Sequence, residues 1–581
     1  MTQSAAPARG VARGRGIFRA WFLLGITLAP SVLAGPAAAP VTFTQDIAPI
    51  VFEHCAGCHR PGQPAPFPLL TYAQVRGRAQ QIAEVTAQGF MPPWMPEAGH
   101  APLAHERRLT SAQIARLHDW FLADTPEGPA AALPPLPRWP AEWELGVPDV
   151  VLRLPHPYTL AADGPDVYRN FVLPSPLPAA RHIRALEFHP GPGGIVHHAF
   201  VRVDRRGGAQ RREGTESAPG FAGMDLPAGV EMPGGYFLSW QPGKVPTAEP
   251  PGYGWTLEPG QGLVVEAHLK PNGKTADLAP EIGLYFTALP PTNATVVFSL
   301  GSLSLALPPG ETNYVVTDDF LLPAPVDLLS VLPHAHYLGR ELEGSVIRPD
   351  GTTEILLRIP DWDFHWQGDY RFAGPIHLPA GSRLRMRYRY DNSAANPRNP
   401  HSPPREILYG PQSADEMAEL WFQARVADPV VAKSLRQAYE AKKGERLLNY
   451  VHFRLARNPR DATARTELGV FQMGAKDHAA ALVSFQQAIV DDPTADEPHY
   501  YTGVIRRLRG DLNGARGEFE TAIRLHPGNS RAHGNLGLIF LQQGNLPRAE
   551  RSLREALRLD PADELARRNL EVVLKSPRIN P

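Results

Sequence analysis

The chain has 581 residues, a formal net charge of −1 and 63 prolines. That length predicts three or four domains rather than one core. The near-neutral balance excludes a basic nucleic-acid footprint, so no nucleic-acid partner is expected. Only two cysteines occur, Cys55 and Cys58, and both belong to one motif. A disulfide framework is therefore excluded.

Arg9, Arg13, Arg15 and Arg19 form a positive start before an apolar run from Ala20 to Ala34. Val32 and Ala34 fit the −3 and −1 positions of a cleavage site. Residues 1–34 are read as a signal peptide, which predicts an exported, periplasmic or extracellular protein. The other reading is an uncleaved anchor, but the run is about 15 residues against the ~20 that a span needs.

Residues 41–128 mix turn signals with helical stretches, and Ser111–Leu122 has the i, i+3, i+4 pattern of an amphipathic helix. A small α-helical domain is expected there. It carries Cys55-Ala56-Gly57-Cys58-His59. Two thiols at this spacing can form thioethers to haem vinyl groups, with the adjacent His as an iron ligand, so the motif predicts covalent haem c. A zinc half-site would want further cysteines and a redox dithiol would want a βαβ context; the sequence offers neither. Met91, rigidly set in Met-Pro-Pro-Trp, is the favoured sixth ligand. Met95, His100 and His105 are the alternatives.

A Pro-rich linker, 129–144, follows. From 145 to 427 the text becomes short β-branched runs broken by Pro and Gly, which predicts two antiparallel β-sandwiches, 145–290 and 291–427. Within them stand His197 and His198, then His268, then His334 and His336, then Met417. Residues i and i+2 of a strand share a face, so His334 and His336 can share a metal. His197 and His198 point to opposite faces of an ideal strand, so their joint ligation requires a bulge or a strand end. Isolated histidines in strands are commonly structural, but five in one region with a thioether form a ligand set. Imidazoles and a thioether without thiolate suit copper.

Beyond 428 proline thins out and helix formers take over. A helical connector is expected over 428–458 and a repeat over 459–577. Pro459, Pro493, Pro527 and Pro561 recur with a 34-residue period, and Gly469, Gly503 and Gly537 keep the same register. This resembles the tetratricopeptide repeat, a helical solenoid whose concave surface binds protein partners.

The order His-His, His, His-x-His and then Met after Asp-Glu resembles the copper type II, ascorbate-dependent monooxygenases, the group of peptidylglycine α-hydroxylating and dopamine β-monooxygenases. The stretches PGQPAPFPLLTY, MPPW, DWDFHWQGDYRF and DNSAANPRNP are similar to a bacterial form fused to a haem domain. The resemblance implies two jelly-roll domains that each hold one copper across an open cleft. It implies His197, His198 and His268 around an electron-supplying copper, and His334, His336 and Met417 around a catalytic, oxygen-binding one. It further implies hydroxylation of a C–H bond with O2, with electrons relayed by the haem from ascorbate or a redox protein. The animal members are disulfide-rich and this chain is not, so their substrate-loop geometry does not carry over. Two other readings stand beside this one: a haem and copper electron-transfer or copper-handling protein, and a repeat-based interaction scaffold.

Overall fold

The computed structural model describes residues 40–576 apart from 62, 64, 141, 192, 193, 234–237 and 427. The expected signal peptide, 1–34, lies outside the described residues. No helix among the described residues is long and apolar enough to cross a membrane.

Four short helices open the chain: α1 (Ala48–His54), α2 (Tyr72–Arg76), α3 (Ala79–Ala87) and α4 (Ser111–Leu122). Thr110 and Gln113 form a reciprocal capping box that starts α4, which satisfies two otherwise unpaired N–H groups. The helices close over Phe43, Val51, Leu117 and Trp120. One segment departs from a self-contained unit over 41–128. Trp94, Met95, Ala101 and Leu103 pack against the core of the second sandwich. The Glu97 N–H donates to the Arg358 carbonyl at 2.7 Å, and Ala104 N–H to Arg371 at 2.8 Å. Leu103 bridges Phe372 as a short antiparallel pair. Residues 94–104 therefore form a strap that fixes the Cys55–His59 region to a domain more than 260 residues further on in sequence, as in the Glu97–Arg358 and Leu103–Phe372 pairs.

The end of the expected linker also joins a sandwich. Trp143 is buried and stacks on His189 at 3.9 Å, and the N–H groups of Glu144 and Leu145 donate to Glu187.

The first sandwich contains β1 (Val150–Arg153), β2 (Val167–Pro174), β3 (Arg181–His189), β4 (Val196–Asp204), β5 (Trp255–Leu257), β6 (Gly262–Leu269) and β7 (Glu281–Thr287). One sheet runs β1-β7-β3-β5 and the other has β6 between β2 and β4, with short edge strands. Side chains from both sheets, such as Phe171, Ile183, Val265 and Leu284, share one core. The second sandwich contains β8 (Ala294–Gly301), β9 (Tyr314–Leu321), β10 (Val326–His334), β11 (Gly339–Ile347), β12 (Thr353–Ile359), β13 (Tyr370–Leu378), β14 (Arg383–Tyr390) and β15 (Glu419–Val426). Its sheets run β8-β15-β10-β13 and β9-β14-β11-β12.

The expected connector is one long helix, α5 (Pro429–Arg457), capped by the Asp428 side chain. Its first half belongs to the second sandwich: Ala432, Leu435 and Tyr439 lie in that core, and the Tyr439 hydroxyl reaches Ser299 at 2.9 Å. Its end leads into the repeat, where Arg454 pairs with Asp461 and Glu467. Seven further helices follow, α6 (Ala462–Gly474), α7 (His478–Asp491), α8 (Glu497–Leu508), α9 (Leu512–Leu525), α10 (Ser530–Gln542), α11 (Leu546–Leu559) and α12 (Glu564–Lys575). They pack as successive antiparallel pairs. The periodic glycines mark where each pair touches: a Cβ on Gly503 would lie 2.8 Å from a Phe519 ring carbon, and one on Gly537 2.7 Å from Leu553 Cγ.

Candidate metal centre

His268 lies opposite His198 in the β6–β4 ladder, but the next residue, Leu269, faces Val196 rather than His197. His197 is thus the extra residue of a β-bulge. The bulge turns its side chain toward the face that His198 occupies, as joint ligation requires. One nitrogen from each of His197, His198 and His268 lies within 4.8 Å of the others.

The rings are held from behind. Asp166 accepts from His268 Nε2 at 2.9 Å and from the Ser413 hydroxyl. Burial raises the Asp166 pKa, but the bonds from His268 and Ser413 outweigh it and hold the group at about 2. With Nε2 committed to Asp166, Nδ1 is the lone-pair nitrogen of His268. Tyr168 stacks on that ring at 4.4 Å, and its hydroxyl proton goes to the Pro411 carbonyl at 2.6 Å.

His334 ends β10 and His336 follows two residues later, with ring centroids 5.3 Å apart. The His334 Nδ1 meets the Gln367 carbonyl oxygen. Glu416 sits beneath this pair. Its carboxylate accepts the backbone N–H groups of His336, of Leu338 at 3.0 Å and of Met417 at 2.9 Å. Burial pushes the Glu416 pKa up to about 8 against the pull of those three donors. Met417 is buried, and its carbonyl accepts from the Tyr390 hydroxyl at 2.7 Å. One buried carboxylate therefore ties the His-x-His segment to the methionine.

Burial, followed by the neighbouring His268, pushes the His197 pKa down to about 3. Burial likewise lowers His198, His334 and His336. Neutral imidazoles with free lone pairs are the form that binds a metal.

The expected open cleft between two sites is absent among these residues. The His198 and His334 rings stand 6.0 Å apart across the domain boundary. Phe364 stacks on His197 at 4.6 Å and lies 5.5 Å from His336. His197, His268 and His336 thus flank one aromatic ring, and His198 meets His334 beside it, in a closed arrangement. Trp362 fixes that loop by donating to the His336 carbonyl at 3.0 Å.

In the Cys-Ala-Gly-Cys-His segment, Cys55 and Cys58 form no disulfide. His59 Nδ1 lies 3.0 Å from the Phe67 carbonyl oxygen. That oxygen can only accept, so Nδ1 carries the proton and Nε2 is left for a metal. Burial raises the Cys55 thiol to about 12. Met91 stays with the helical region, its N–H donating to Val85 at 3.1 Å. Met95 does not: its sulfur accepts the Asp363 N–H at 3.2 Å, next to Phe364. His100 pairs with Glu97, and His105 is exposed with a left-handed φ of 55°. Among the alternatives to Met91, Met95 is thus held by the second sandwich.

Sequence reasoning missed Asp166, Gln367, Glu416 and Phe364. Glu416 had a signal, since it immediately precedes Met417. Asp166 stands singly in a loop, whereas Phe364 and Gln367 lie in and just after the 3-10 turn Phe364–Trp366 of the stretch DWDFHWQGDYRF, whose aromatic residues read as core or surface.

Residues 507–564 match the family model described as tetratricopeptide repeat. No curated protein matches the chain. Similar solved structures include a crystal structure of MamA, 18% identical over 23% of this chain and 80% of that one, with a TM-score of 0.21. A second structure of MamA gives 18% identity over 24% of this chain and 75% of that one, again with a TM-score of 0.21. The first tetratricopeptide repeat domain of Spaghetti (RPAP3), bound to the HSP90 peptide SRMEEVD, is 16% identical over 19% of this chain and 90% of that one, with a TM-score of 0.19. At these values the likeness says nothing of activity.

Proposed function

We propose that this chain is an exported copper-dependent monooxygenase that hydroxylates a C–H bond of an organic substrate with O2, fed by electrons through a covalent haem c. The observation that carries the reading is the bulge at His197, which brings three imidazoles within 4.8 Å beside a second histidine pair. A histidine trio backed by a carboxylate, next to two histidines and a buried methionine, fits two copper ions by donor chemistry. Copper bound there would supply one-electron redox chemistry and oxygen activation. Asp166 and Gln367 orient the rings of His268 and His334. Glu416 fixes the backbone that presents His336 and Met417. Burial of the His197, His198, His334 and His336 rings excludes water and keeps them unprotonated.

Strand order does not carry the jelly-roll part of the resemblance: in the second sandwich the consecutive strands β11 and β12 pair with each other within one sheet. The cytochrome c reading of 41–128 is supported by the Cys55-Ala56-Gly57-Cys58-His59 spacing and the oriented His59 ring. The repeat would hold a protein partner, the usual role of such arrays.

A second reading, an electron-transfer or copper-handling protein, is favoured by the closed arrangement around Phe364. Stopped-flow haem reoxidation in air, with product hydroxylation followed in parallel, separates the two. The monooxygenase reading expects about two coppers per chain, and reoxidation that copper accelerates and that loss of His334 and His336 abolishes. It expects the sulfur signal in the Cu(I) X-ray spectrum to vanish in Met417→Ala. Equal reoxidation rates with and without copper would favour the carrier.

A further inference from the structure

A cavity of about 140 Å³ lies where the strap, the first sandwich and the second sandwich meet. Four cations line it, Arg107, Arg184, Lys244 and Arg371, against two carboxylates, Glu249 and Asp369. Both carboxylates are already committed. Asp369 pairs with Lys244 at 2.8 Å, and Glu249 makes a two-point pair with Arg371 at 2.9 and 3.0 Å. Arg107 is left over. Its guanidinium makes no hydrogen bond or ion pair among the described residues. Beside it, the Trp94 indole N–H is buried with no acceptor, although Trp94 lines the same space. A buried donor without an acceptor is costly to retain, and an unpaired guanidinium is a fork for an anionic oxygen pair.

The cavity also adjoins the haem motif. A Cβ placed on Gly243 would come within 3.1 Å of an Arg107 nitrogen and 3.7 Å of the Cys58 sulfur. Both groups therefore abut the same glycine, next to Lys244 in the cavity wall.

We propose that this junction cavity is a carboxylate-binding site in which Arg107 and the Trp94 indole N–H receive one carboxylate. Its excess of two cations calls for an anion, and its volume admits a short carboxylate arm rather than a large ligand. Two sources share that chemistry. One is a propionate of a haem attached at Cys55 and Cys58, which rests on the haem reading above. The other is a small free organic acid.

The full-length chain is used throughout, as wild type, Arg107→Gln and Trp94→Phe, with circular dichroism to establish that each variant is folded. Arg107 makes no hydrogen bond or ion pair among the described residues, so its replacement leaves no partner orphaned among them. Haem attachment is first scored by retention of haem through acid–acetone extraction, which tests the haem reading separately. In haem-bearing protein, the resonance Raman bending mode of a propionate should shift in both variants if a propionate fills the site. In that case succinate, the probe for a free acid, should show no Arg107-dependent binding. If a free acid fills the site, calorimetric titration with succinate should show binding that weakens at least tenfold in Arg107→Gln, with the propionate mode unmoved. Loss of haem on extraction would remove only the first source, and the succinate arm would still decide. A propionate mode that ignores both variants, together with no Arg107-dependent succinate binding, would overturn the proposal.

Discussion

Asp166 shows how much of a candidate metal site lies outside the residues that could ligate an ion. It touches no expected metal position, yet it fixes the orientation and tautomer of His268 and links that ring to Ser413 of the other sandwich. Carboxylates behind ligating histidines typically contribute about 10- to 100-fold in metal affinity. Asp166→Ala should weaken copper binding in that range at the His197, His198 and His268 site while leaving the His334 and His336 site loaded, as measured by competitive titration with a chelator. Unchanged affinity at both sites would mean that stacking by Tyr168 alone positions the ring. Glu416 acts differently, through backbone N–H groups of His336, Leu338 and Met417. Above about pH 8, where Glu416 is ionised, Glu416→Gln keeps the shape, but its amide NH2 would face N–H donors that need an acceptor. It should destabilise the folded protein by about 1–3 kcal/mol, read from denaturant midpoints.

The repeat and the bulge were the most legible elements. A 34-residue period is written directly in Gly469, Gly503 and Gly537 because each faces a large side chain of its partner helix, and such contacts recur with the chain's own spacing. The need for a bulge followed from two adjacent histidines and the two-residue strand period. The strap was not legible: Glu97 pairs with Arg358 and Leu103 with Phe372, and nothing local in MPPWMPEAGH specifies a distant sheet edge. Nor was the closed arrangement around Phe364, because contact between two sandwiches depends on their docking and not on either strand pattern. The glycine register makes a signed prediction. Gly→Ala in an exposed helix interior stabilises by roughly 1 kcal/mol. Gly503→Ala should instead destabilise the repeat by about 1–3 kcal/mol through overpacking against Phe519, whereas Gly517→Ala, with open space around it, should stabilise it. Urea unfolding of the two variants compares the signs directly. The long helix adds a boundary test. A chain ending after Asn458 should keep the second sandwich folded, while one ending after Asp428 should not, since it loses Ala432, Leu435 and Tyr439 from that core.

The docking of the two sandwiches is itself a polar interface, and its chemistry predicts how the assembly responds to acid. Asp369 of the second sandwich accepts from Ser239, Gln241 and Lys244 of the first. Burial alone would raise its pKa, but the Lys244 charge and these three donors reverse the effect and lower it. A carboxylate whose pKa is lower folded than unfolded stabilises the fold above the unfolded value, about 3.9, and loses that contribution as pH falls through the folded value. The His cluster sits on the same interface, with His198 from one sandwich against His334 from the other, so separation of the sandwiches would also open that site. Asp369→Asn should therefore destabilise the docked state by about 1–3 kcal/mol at pH 7, since it leaves Lys244 without its partner charge. The gap between variant and wild type should stay constant down to about pH 4 and close below it, where wild-type Asp369 takes up its own proton. Thermal unfolding across pH 7 to 2.5 measures that gap. A gap that persists at the acid end would show that Asp369 acts through shape and not through charge.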